Sequence, residues 1–122
     1  MSRVLVVDDE EDMLWMLQRN LNKGMPEVEV LAASSGEEAL AVLSDKAVDL
    51  VITDINMPGM NGLELAEKIQ VIRPGLPLII CTGDITRVDR DKGKSAGVSA
   101  YVVKPVSMSE LSALIRETLD QG

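Results

Sequence analysis

Short apolar runs at residues 3–7, 28–33, 50–53, 78–82 and 98–103 punctuate the chain at intervals of roughly 20 to 25 residues, and most are continuous rather than alternating. A strand with one face in water alternates apolar and polar side chains. A run apolar throughout is buried on both faces, which is the condition of a parallel sheet covered by helices on each side. Segments of helical length separate the runs. Strand and helix alternating in this way, with short connections, predict a doubly wound (βα)5 sandwich of class α/β with right-handed crossovers.

The first helical segment, 10–23, carries Met13, Met16, Leu17 and Leu21 at helical spacing and stops at Gly24. The second is entered by Ser34-Ser35-Gly36, has Glu37 and Glu38 in its first turn, and offers Ala39, Leu40, Val42 and Leu43 to the core. The third, 63–72, turns Leu65, Ile69 and Ile72 inward, and the last, from Ser107 or Ser109 to about Leu119, does so with Leu111, Leu114, Ile115 and Leu119. Residues 85–96 are the weak member: Asp89, Arg90, Asp91, Lys92, Gly93 and Lys94 leave only Ile85, Val88 and Ala96 as anchors. A short or mobile helix is predicted there.

With 122 residues, of which 46% are hydrophobic, the chain suits one domain, 1–122, and not two cores. Its 20 acidic and 12 basic residues give a net charge of -8, which argues against direct nucleic-acid binding. No apolar run approaches membrane-spanning length and Met1 leaves no room for a signal peptide, so the expectation is a cytoplasmic protein with no membrane insertion. Histidine is absent and Cys81 stands alone within an apolar run, so histidine-based triads and the usual zinc sets are excluded. Carboxylates, hydroxyls, lysine and a hard cation are what remain for chemistry.

In a doubly wound sheet ligands sit at the carboxyl ends of the strands. That edge collects Asp8 and Asp9 after the first strand, Asp54 after the third, Thr82 after the fourth and Lys104 after the fifth. Three converging carboxylates repel unless a cation neutralises them, and an oxygen-only ligand set fits Mg²⁺. An aspartate carboxylate can attack a phosphoryl group and form an acyl phosphate. Mg²⁺, the Lys104 ammonium and the Thr82 hydroxyl would then meet the transferred oxygens, so that catalysis is positioning and neutralisation. Lys104 precedes Pro105, and a cis bond there would aim the ammonium into the site.

These residues lie in VLVVDDE (4–10), VITDINMPGMNG (51–62), IICTGD (79–84) and AYVVKP (100–105), and together the segments resemble the receiver domain of bacterial two-component response regulators, the CheY-like family. The likeness runs over essentially the whole chain. It implies a flavodoxin-like fold with a five-stranded parallel sheet in the order 2-1-3-4-5. It implies Asp54 as phosphoacceptor, Asp8, Asp9 and Asp54 as Mg²⁺ ligands with the backbone carbonyl of Asn56, and Lys104 as the phosphate-binding lysine. It implies Thr82 and Tyr101 as the switch pair acting on helix four, strand five and helix five. Asn56 and Asp84, two residues after Asp54 and Thr82, are implied to set the lifetime of the acyl phosphate. Residues 57–62 read as a turn without chemistry of their own.

If Met13, Met16, Leu17 and Leu21 fill the inward face of the first helix, Leu14, Trp15 and Gln18 point elsewhere, and the resemblance implies that this helix docks on a histidine kinase or phosphotransfer domain. Leu14, Trp15 and Gln18 are therefore the expected kinase interface. A haloacid-dehalogenase-type hydrolase would need a second aspartate where Asn56 stands, and a flavin binder would need a phosphate loop where Asp8, Asp9 and Glu10 stand. A receiver that serves only for docking is disfavoured because no site residue is missing. The expectation is a phosphoacceptor and not a turnover enzyme, either a stand-alone regulator or a piece of a longer protein with an output or kinase module, and with dimerisation on phosphorylation left open.

Overall fold

The computed structural model describes residues 1–120. Strands β1 (Ser2–Val7), β2 (Val28–Ala33), β3 (Leu50–Asp54), β4 (Leu78–Thr82) and β5 (Val98–Val103) alternate with helices α1 (Glu11–Gly24), α2 (Gly36–Asp45), α3 (Gly62–Ile72), α4 (Arg90–Ser95) and α5 (Met108–Asp120). The strands form one parallel sheet in the order β2-β1-β3-β4-β5. The doubly wound architecture stands as the sequence predicts, and the strand order as the resemblance implies.

Continuous apolar runs serve both faces of the sheet by alternation. Val4, Val6, Leu50, Ile52, Ile79 and Cys81 look toward Leu17 and Leu21 of α1 and Leu111 and Ile115 of α5. Leu5, Val7, Val51, Leu78 and Ile80 look the other way, toward Ala39 and Leu43 of α2 and Leu65, Ala66 and Ile69 of α3. Local chemistry fixes where the helices begin. The Ser35 hydroxyl accepts from the Glu38 N–H at the start of α2, and Asn61 and Glu64 exchange side-chain and backbone bonds at the start of α3.

Three expectations need correction. Leu14 is buried in the core with Leu17 and Leu21, whereas Met16 is exposed. Leu14, Leu17 and Leu21 share one arc of the helix, while Met16, one residue before Leu17, is turned about 100° from it; apolar character alone misled the choice. Ile72, the final residue of α3, is exposed rather than inward. Residues 85–96 are not one helix: a 3₁₀ turn at Ile85–Arg87 precedes a six-residue α4 whose first turn is capped by the Asp89 carboxylate on the Lys92 N–H.

Candidate functional site

Parallel register brings the strand ends of the sheet to one edge. Val7 lies beside Thr53, Asp54 beside Cys81 and Thr82 beside Val103. Backbone bonds continue the ladder beyond the strands, with Asp8 N–H donating to Ala33 O (3.2 Å), Ile55 N–H to Cys81 O (3.0 Å) and Lys104 N–H to Thr82 O (2.8 Å). The loop after β3 is drawn back over its own strand by Gly62, whose N–H donates to Ile55 O at 2.9 Å. A Cβ at Gly62 would fall 2.6 Å from Asp54 O, so only glycine permits α3 to start this close to Asp54.

Asp8, Asp54 and Thr82 are buried, an unusual state for polar side chains. Carboxylate oxygens of Asp8, Asp9 and Asp54 all lie within 4.8 Å of one another, with Asp9 the exposed member. Lys104 closes the other side: its Nζ is 3.1 Å from Asp54 Oδ1, and the Lys104–Pro105 bond is cis. Burial pushes the Asp8 carboxyl above its usual range; the Glu10 N–H on Asp8 Oδ1 (2.9 Å) opposes the shift and the Asp54 charge adds to it. Burial works to lower the Lys104 ammonium, but its hydrogen bond to Asp54 and the charges of Asp54 and Asp8 carry it upward, so it stays charged. Burial also pushes the Cys81 thiol up to about 12, the behaviour of a small core residue and not of a nucleophile.

All five strand-edge residues chosen from the sequence thus meet at one edge. Crowded carboxylates, two of them buried away from water, and an exclusively oxygen donor set fit a hard divalent cation. The Thr82 hydroxyl is engaged with the next loop, accepting from Asp84 N–H (3.2 Å) and donating to Asp84 O (3.3 Å). Asn56 and Asp84 are exposed and line, with Thr82, a cavity of about 290 Å³ beside the carboxylates. Tyr101 is half-buried against α4, its hydroxyl enclosed with no hydrogen-bond partner among the described residues. Of the three residues expected on the kinase-facing side, Trp15 is exposed, Gln18 is half-buried and Leu14 belongs to the core.

Sequence reasoning missed Arg87, whose guanidinium shares that cavity and whose Nε lies 3.4 Å from Asp84 Oδ2. The i, i+3 spacing of Asp84 and Arg87 was the available signal. It also missed Gly93, on whose α carbon the Tyr101 ring end rests.

The family model of the response regulator receiver domain matches residues 4–116. The chain belongs to this family. Receiver domains are the phosphorylated domains of two-component response regulators, acted on by histidine kinases, and they bind Mg²⁺ at an acidic pocket. Among relatives, the transcriptional regulatory protein GlrR of Escherichia coli (strain K12) is 36% identical over 121 residues, covering 99% of this chain and 27% of GlrR. The solved CheY-like receiver domain of Methanospirillum hungatei JF-1 superposes with a TM-score of 0.91 at 34% identity, covering 99% of this chain and 95% of that one. TrrA of Thermotoga maritima, solved in complex with Mg(2+)-BeF, gives 0.86 at 33% identity, covering 97% of this receiver domain and 99% of TrrA. The chain spans from 27% to 52% of the length of its curated relatives. Among the described residues, no helix is long and apolar enough to cross a membrane.

Proposed function

We propose that this receiver domain accepts a phosphoryl group on Asp54 from a phosphohistidine or a small acyl phosphate. The observation that carries the reading is the buried Asp54 carboxylate held between the Asp8–Asp9 pair and the Lys104 ammonium at 3.1 Å. An Asp54 oxygen attacks phosphorus, a P–O bond to Asp54 forms, and the donor's P–N or P–O bond breaks with its electron pair leaving on the donor. No base is needed, because the attacking group is a carboxylate. Lys104 neutralises one phosphoryl oxygen and the Thr82 hydroxyl, on leaving Asp84, another. Asp8, Asp9, Asp54 and the Asn56 carbonyl would hold Mg²⁺, which when bound supplies the positive charge that lets three carboxylates and a phosphoryl group share one pocket.

Movement of Thr82 toward the phosphoryl group opens space for Tyr101, biasing the surface of α4, β5 and α5 that an output module or separate partner reads. Asn56 and Asp84, exposed beside the site, set how water reaches the acyl phosphate. An amide at Asn56 supplies no general acid, so the domain is a phosphoacceptor and not a turnover enzyme. The protein donor docks on the solvent face of α1, where Trp15 and Met16 are exposed. Leu14 takes no part in it.

Intact mass after incubation with acetyl phosphate tests this. Wild type gains about 80 Da, the mass of one phosphoryl group, only with Mg²⁺, and Asp54→Asn gains nothing. An adduct that persists in Asp54→Asn places the acceptor elsewhere. In the same experiment Trp15→Ala keeps the wild-type rate with acetyl phosphate and slows transfer from a phosphohistidine-bearing domain; equal rates with both donors would remove the docking face.

A further inference from the structure

The crevice beneath Asp54 and Lys104 encloses only about 10 Å³, room for at most a single water. The body of a phosphodonor must therefore lie outside it, and the adjoining cavity of about 290 Å³ is the space that offers itself. It is lined by Ile55 and Asn56 from the loop after β3 and by Thr82, Gly83, Asp84, Arg87 and Val88 at and after the end of β4. No residue lines both spaces, but Ile55 follows Asp54 and Thr82 follows Cys81 along the chain, and Asp54 pairs with Cys81 in the sheet, so the two spaces lie side by side at the strand edge.

The charges around this space are mostly negative. Asp8, Asp9 and Asp54 stand on one side and Asp84 stands in the wall itself. The Asp84 carboxylate is fixed, with Oδ1 accepting from Thr86 Oγ1 (2.6 Å) and Thr86 N (3.0 Å), bonds that hold its carboxyl below the usual range. A dianionic phosphate approaching that wall meets a permanent negative charge. Arg87 is the one cationic side chain in the lining, with Nε 3.4 Å from Asp84 Oδ2. The pair is well exposed, 88% for Arg87 and 50% for Asp84, so it adds little to stability. Its consequence is for the field at the mouth of a cleft, where exposed charge alters the capture of charged ligands.

Resting on the phosphoacceptor reading above, we propose that Arg87 is a specificity-determining residue for small acyl-phosphate donors: its guanidinium, paired with Asp84 in the lining of the cavity that also includes Asn56, receives the donor's phosphate dianion before Asp54 attacks it. The donor's acyl oxygen leaves with the electrons of the broken P–O bond, and the carboxylate released departs through the same cavity. Arg87 takes no part in bond making. Its contribution is to the encounter, which gives it a dependence on ionic strength that a purely structural residue would lack.

The test measures the initial rate of Asp54 phosphorylation by sub-saturating acetyl phosphate, with saturating Mg²⁺, for wild type, Arg87→Gln, Arg87→Lys and Lys94→Gln. Lys94 carries the same charge on α4 and lies outside the cavity. At an ionic strength of about 0.01 M, where the screening length is about 30 Å, Arg87→Gln is slowed roughly three- to tenfold. Arg87→Lys and Lys94→Gln stay within about twofold of wild type, the range left to a distant or conserved charge. At about 1 M, where the length is about 3 Å, wild type and Arg87→Gln converge. An unaltered rate in Arg87→Gln overturns the proposal, as does a deficit of the same size at both ionic strengths or equal slowing by Lys94→Gln. Wild type that acquires no phosphoryl group on Asp54 removes the underlying reading; wild type labelled normally beside an unaffected Arg87→Gln removes only the role of Arg87.

Discussion

Asp8 is only 3% exposed and has carboxylate oxygens of Asp9 and Asp54 within 4.8 Å, so burial above all, with the Asp54 charge adding to it, disfavours its charged form. The carboxyl of Asp8 is raised from its ordinary value of 3.8, so the native state binds this proton more tightly than the unfolded chain does. Its contribution to stability is full below the ordinary value and is lost as pH rises through the raised one. At neutral pH without divalent cations, Asp8→Asn is therefore more stable than wild type by about 1 kcal/mol, and the gap closes in acid. On the proposed ligand set Mg²⁺ should reverse the order, because wild type would gain more from the cation than a variant lacking one of its proposed ligands. Urea denaturation across pH, with and without Mg²⁺, measures this; a variant less stable than wild type at neutral pH in chelator contradicts it. Asp8, Asp9, Asp54, Thr82 and Lys104 were legible because each ends an apolar run, and a parallel sheet gathers such ends at one edge. Arg87 ends no run, and its place in the cavity depends on a 3₁₀ turn for which the sequence has no clear signal.

Helix α4 shows both what composition discloses and what it hides. Its few apolar residues announce a short element, and it is six residues long. Gly93 counted in the sequence only as a weakness, yet it is the seat of Tyr101: a Cβ at this position would lie 1.8 Å from the tyrosine oxygen and 3.1 Å from Cζ. The enclosed hydroxyl has no hydrogen-bond partner among the described residues, so the ring is held there by shape and by contact with its neighbours. In an ordinary helix interior, Gly→Ala adds up to about 1 kcal/mol of stability. Here overpacking against the ring should outweigh that gain, leaving Gly93→Ala less stable by about 1–2 kcal/mol. With Tyr101→Ala as background the obstruction is gone and the same substitution should become stabilising. Denaturation of the four proteins in this cycle decides the matter, and a stabilising Gly93→Ala beside an intact Tyr101 would refute the seat. The solvent face of α1 was misread for a related reason: Leu14 and Met16 are both apolar, and only the angle each makes with the sheet distinguishes them.

Across the whole molecule, β1, β3 and β4 each feed both cores, Val4 and Val6 one and Leu5 and Val7 the other, so neither layer can loosen without stripping the central strands of half their cover. The periodicity of the runs made this two-layer plan legible; how tightly the layers depend on each other follows from the register that pairs them. The chain carries its own reporters, for its single tryptophan lies on α1 and its single tyrosine packs with the opposite layer. Interdependent cores require the urea transitions of Trp15 fluorescence and Tyr101 absorbance to coincide, as in a two-state domain. Because the proposed site is assembled at the shared edge of β1, β3, β4 and β5, Mg²⁺ bound there would select the native sheet over the unfolded chain. It should therefore move both transitions equally, by about 2.7 kcal/mol at a hundred times its Kd. Separate midpoints, or a Mg²⁺ shift in only one of them, would mean that the layer bearing α1 and α5 unfolds independently of the layer bearing Tyr101, and that the site survives on part of the sheet.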